Sequence, residues 1–106
     1  MKVRISISVF AENSGAVGHV DGDLDFPIEP MIGDTISFIV SDNDVPLDTS
    51  LGFDGLLKVE YRTITPNHKN HAISLMLEDL RVDGKESALH IMNFLESGFG
   101  LYSNPY

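Results

Sequence analysis

The stretch KVRISISVF, residues 2–10, places Val3, Ile5, Ile7 and Val9 at alternate positions, with Lys2, Arg4, Ser6 and Ser8 between them. Side chains of an extended chain point to opposite faces with a period of two, so this is a strand with one buried face. Residues 11–16, AENSGA, have the composition of a turn. The run 17–26 alternates again, with Gly18, Val20, Gly22, Leu24 and Phe26 on one side and Val17, His19, Asp21, Asp23 and Asp25 on the other.

A hairpin closed by AENSGA sets Phe10 opposite Val17, Arg4 opposite Asp23 and Lys2 opposite Asp25. A slip of two residues preserves the faces, so the basic and acidic faces meet in either register. Asp21, Asp23 and Asp25 then stand about 6.7 Å apart along the strand and repel by roughly 0.6 kcal/mol per pair in water. Cross-strand Lys2 and Arg4 offset most of that. The stripe therefore reads as a charge ladder rather than a metal site.

Residues 25–38, DFPIEPMIGDTISF, read as a corner between strands. Pro27 and Pro30 lack an N–H and end ladder pairing, Gly33 permits a positive φ, and Asp34 can bond its own turn. The P-x-x-G-D-x-I pattern from Pro30 to Ile36 is a strand-entry turn common to unrelated β-rich domains, and it identifies no family. Residues 35–40 form a third strand, with Ile36, Phe38 and Val40 inward. Residues 41–55, SDNDVPLDTSLGFDG, have no periodicity, and a loop of that length in a small domain is a candidate for function.

A fourth strand follows at residues 56–64, with Leu57, Val59, Tyr61 and Thr63 inward and Lys58, Glu60 and Arg62 outward. After a turn at 65–70, a fifth runs from His71 to about Leu80 with Ile73, Leu75 and Leu77 inward. The period then changes to that of a helix. Asp83 suits the N-cap with Glu86 at capping-box spacing, Ala88, Ile91, Met92 and Leu95 share one face, and Gly98 suits the C-terminal cap. Such a helix of about thirteen residues is roughly 20 Å long. The uncharged tail GFGLYSNPY is expected to pack back or to contact a partner. The expected architecture is α+β: a curved antiparallel sheet or partly open barrel of about five strands with one C-terminal amphipathic helix, in a single domain spanning residues 1–106.

Composition narrows the function. The chain has 106 residues and no cysteine, which excludes disulfides, thiolate metal sites and cysteine nucleophiles. The basic then apolar N-terminus is interrupted by serines and does not form a signal-peptide core. No apolar run approaches a membrane span, and the expected location is the cytoplasm. Seven Lys and Arg face sixteen Asp and Glu, for a net charge of −9. Between Arg4 and Lys58 there is no Lys or Arg, while Glu12, Asp21, Asp23, Asp25, Glu29, Asp34, Asp42, Asp44, Asp48 and Asp54 all fall there. Such a field repels nucleic acid and anionic membranes and attracts basic partners or cations.

Motifs for catalysis are absent from the pattern. His68 and His71 straddle a turn with no third ligand near in sequence, and His19 and His90 fall on polar faces. Asp42-Asn43-Asp44 invites a calcium reading, but the sixth and twelfth positions of an EF-hand loop would be Leu47 and Phe53. There is no G-x-S-x-G turn and no P-loop, and Gly98-Phe99-Gly100 follows a helix rather than a strand. No cofactor is expected, and the expected activity is recognition rather than catalysis.

The candidate partner-binding residues are Asp42, Asp44, Leu47, Asp48, Leu51, Phe53 and Asp54, apolar anchors set in an acidic rim that suits a basic protein. If the acids serve only binding, neutralising Asp42, Asp44 and Asp48 together leaves stability unchanged or slightly raised. A competing arrangement folds Leu51 and Phe53 under the loop and leaves only the acids outside. The rival functions are a small-molecule or divalent-cation-binding barrel and a structural homo-oligomer assembled through sheet edges or the tail.

Overall fold

The computed structural model describes residues 1–41, 44–69 and 72–106. It is an α+β fold: one open sheet and a C-terminal helix. The central strand is β1 (Lys2–Ala11), whose Val3, Ile5, Ile7 and Val9 are at most 1% exposed, as strict alternation requires. On one side β2 (Gly15–Asp25) pairs with it antiparallel, with Lys2 opposite Asp25 and Arg4 opposite Asp23. On the other side β5 (Ile73–Leu77) and β6 (Leu80–Val82) pair with it in parallel, one after the other. The sheet runs β3-β4-β5-β1-β2-β7, with β3 (Thr35–Ser37), β4 (Leu56–Ile64) and β7 (Tyr102–Pro105) adding antiparallel.

Four local findings depart from the expected strand pattern. The hairpin register shifts between Val9 and Phe10, so Phe10 meets Ala16, and Val17 is buried rather than outward. A second shift between Val59 and Tyr61 exchanges the faces of β4: Tyr61 is 62% exposed, while Arg62 turns towards the interior. The expected single fifth strand is two short ones, because Glu78 leaves β1 and its backbone N–H donates to the Lys58 carbonyl. The third strand also stops early, at Ser37, and leaves Val40 exposed.

Helix α1 (Lys85–Phe99) buries Ala88, Ile91, Met92, Phe94, Leu95 and Gly98 against the sheet. Its N-cap is Gly84 rather than Asp83, with no side-chain cap bond, and its C-cap is Gly100 rather than Gly98. Gly100 takes a φ of 70° and its N–H donates to the Glu96 carbonyl, a left-handed cap that glycine adopts without strain. That reversal feeds Leu101 into the core and returns the tail as β7 along β2. Among the described residues, no helix is long and apolar enough to cross a membrane.

Candidate functional site

The loop singled out from the sequence is divided by the structure. Asp42 and Asn43 lie outside the described residues, as does His71 of the histidine pair. Asp44 is exposed with a φ of 54°. Leu47, Asp48 and Leu51 come together with His90, Asn93 and Ser97 of α1 around a shallow depression of about 170 Å³. Phe53 is 5% exposed and belongs to the core, while Leu47 and Leu51 pack against that core half-buried. With Asp54, Phe53 lines a different depression, beside residues 78–81. The six described residues of the seven thus do not form one patch of exposed anchors, because burying Phe53 and covering the core with Leu47 and Leu51 gains more than exposing them.

Two of the loop acids also have local work. Asp48 Oδ1 accepts from the Ser50 N–H at 3.0 Å and from the Ser50 hydroxyl, capping a short 3-10 turn at Thr49–Leu51. Those bonds to its charged form hold the Asp48 carboxyl below the usual carboxylate range. Asp54 Oδ1 accepts from the Leu56 N–H at 3.0 Å. Asp48 thus caps that turn, which sets a structural role beside the expectation that neutralising the loop acids leaves stability unchanged or slightly raised.

The outer stripe of β2 is paired unevenly. Asp21 sits 3.4 Å from both the Arg4 guanidinium and His19 Nε2. Asp25 is 3.0 Å from the Met1 amine. Arg4 faces Asp23 in register yet reaches Asp21, one diagonal step along the stripe. Among the described residues, no three His, Asp and Glu side chains gather as a metal cluster.

A larger concavity lies at the corner. A cleft of about 570 Å³ opens between residues 23–26, residues 35–38 and the end of α1 at residues 98–100. The connection expected to be only a corner contributes both of its ends to this cleft, Asp25 and Phe26 at one wall and Thr35, Ile36, Ser37 and Phe38 at the other. Phe38 and Phe99 meet edge to face at 5.1 Å between ring centres, which props the helix end against β3. Arg62, turned inward by its bulge, forms an ion pair with Glu29 and so ties the intervening connection to β4.

The cleft lining holds two carboxylates, two hydroxyls, aromatic and aliphatic surface, and, among the described residues, no Lys, Arg or His. The last turn of α1 also carries no basic residue, so no side chain of that turn offsets the negative end of the helix dipole. Sequence reasoning missed this grouping, because residues 27–34 separate the two walls in the chain and the floor comes from the far end. The legible signal was the pair of prolines, which truncates pairing and leaves a short strand with one free side. No protein-family model, curated protein or solved structure matches the chain.

Proposed function

We propose that this chain is a small protein-binding module that engages a basic partner. The observation that carries the reading is the cleft walled by Asp23 and Asp25 and closed by the C-terminal end of α1, whose lining among the described residues holds no Lys, Arg or His, the Met1 amine that pairs with Asp25 lying outside that lining. The net charge of −9 supports it from a distance, since a field of one sign raises the rate at which oppositely charged partners arrive. Close to the surface, desolvated apolar contact supplies the affinity that exposed charge does not. The exposed acids Asp44, Asp48 and Asp54 add to that field without a shared pocket. A cytoplasmic setting belongs to the same proposal.

The test is capture of proteins from a cell extract on the immobilised chain, at low and at high salt, with each captured protein identified. A discrete basic protein retained at low salt and released at high salt is the expected result. The Asp23→Asn, Asp25→Asn double variant should retain it several-fold less. Capture of acidic and basic proteins alike, or none at either salt, would overturn the reading.

A further inference from the structure

We infer that the cleft takes an extended basic segment of the partner as an added β-strand, paired along the free side of β3. This rests on the basic-partner reading above and specifies how that partner is held.

In an antiparallel ladder, successive residues turn their N–H and C=O groups to opposite sides. The Phe38 N–H donates to the Gly55 carbonyl and the Val59 N–H to the Asp34 carbonyl, which points Asp34, Ile36 and Phe38 at β4. Thr35 and Ser37 must then direct their backbone groups away from β4. β3 is the terminal strand of the sheet, so among the described residues that side has no neighbouring strand, and it is one wall of the cleft. Across the cleft, Phe26 exchanges bonds with Met1, so Asp25 likewise turns its backbone groups outward. A free strand edge beside a cleft is a template for strand addition.

Chemistry selects the occupant. An added strand continues the two faces of β3: one beside half-buried Ile36 and Phe99, the other beside exposed Thr35 and Ser37. Its residues should therefore alternate between apolar and polar. Asp23 and Asp25 on the facing wall make the polar ones basic. A second copy of this chain is the wrong occupant, because each copy carries a charge of −9 and the same two carboxylates. At about 3.3 Å per residue, the three residues of β3 define an edge of about 10 Å, so the contact is with three or four residues of the segment.

The experiment titrates the isotope-labelled full chain with the capped peptide KVKVK and, as a control, EVEVE, following backbone amides by NMR at low salt. The expected result is saturable shifts from KVKVK alone, largest at Thr35 and Ser37, with slowed hydrogen exchange of those two amides. Ser37→Pro removes an outward N–H at an edge position where proline is tolerated, and it should weaken the peptide about tenfold. Asp25→Asn, which leaves the β3 backbone intact, should weaken it several-fold at low salt and little at high salt. Largest shifts at residues 44–54 would overturn the strand addition and leave the basic-partner reading standing. Equal binding of EVEVE, or no binding of either peptide, would overturn both. Concentration-dependent shifts at β3 without peptide would overturn the inference in favour of self-pairing.

Discussion

Replacing Gly18 by alanine is expected to detach the C-terminal strand while leaving the rest of the fold in place. A Cβ at Gly18 would stand 2.5 Å from the Asn104 carbonyl oxygen, 2.9 Å from Pro105 Cα and 2.8 Å from Met92 Cε. The methionine tip can rotate away, but the two backbone atoms belong to β7 and move only if that strand withdraws. Reaching ordinary contact requires a retreat of about 1 Å at Asn104, enough to break neighbouring ladder bonds whose tolerance is a few tenths of an ångström. The bonds at risk join His19 to Asn104 and Asp21 to Tyr102 in register, with the Tyr106 N–H donating to the Val17 carbonyl at 2.8 Å. At a net ~1 kcal/mol per bond, or ~1–3 kcal/mol for overpacking, the cost is about 2–3 kcal/mol. A domain of this size has about 5–15 kcal/mol in total, so the variant still folds, with a midpoint lower by roughly 8–20 °C.

Urea and thermal unfolding followed by circular dichroism measure the loss, and amide hydrogen exchange at Tyr106 and His19 locates it. Deleting residues 102–106 in the Gly18→Ala background supplies the decisive arm. If the alanine acts by displacing β7, it should cost little more once β7 is gone, giving a coupling close to its full single-variant effect. Additive losses, or a Gly18→Ala variant within about 0.5 kcal/mol of the parent with its β7 amides protected, would refute the reasoning.

Phe53→Ala should lower stability by about 3–4 kcal/mol, within the range for buried aromatic truncation, as read from the urea midpoint; a neutral result would return Phe53 to the surface. Asp48→Asn should lower stability at pH 7, and the difference from the parent should vanish in acid. The folded carboxyl is held below its unfolded value by the Ser50 bonds, so its contribution is present above the unfolded pKa and lost as pH falls through the folded one. Paired urea titrations at pH 7 and near pH 2.5 check the sign, and a gap unchanged by pH would show that the Ser50 bonds do not depend on the charge.

Much of the strand pattern was legible because it depends on local periodicity. Val3, Ile5, Ile7 and Val9 alternate without interruption, and they are buried as that alternation requires. The pairing of Arg4 with Asp23 and of Lys2 with Asp25 followed from the hairpin alone. The helix face of Ala88, Ile91, Met92 and Leu95 was written in the 3.6-residue period, and the excess of carboxylates before Lys58 is a property of the chain itself.

Bulges were not legible, since one extra residue exchanges faces only when a cross-strand partner fixes the count, as Met76 does for Tyr61 and Gly18 for Val9. The helix caps moved from Asp83 to Gly84 and from Gly98 to Gly100, because docking of the helix, rather than capping propensity, chose its ends. Parallel addition of β5 to β1 depends on the path of the intervening chain, which no local pattern encodes. The cleft is the fullest case. Its walls and floor come from β2, β3 and the end of α1, and only the curl of the sheet with Phe38 seated against Phe99 brings them together. The sequence by itself determined the alternating strands, the helix and the sign of the field; tertiary packing decided which backbone edge stays open and which carboxylates face it.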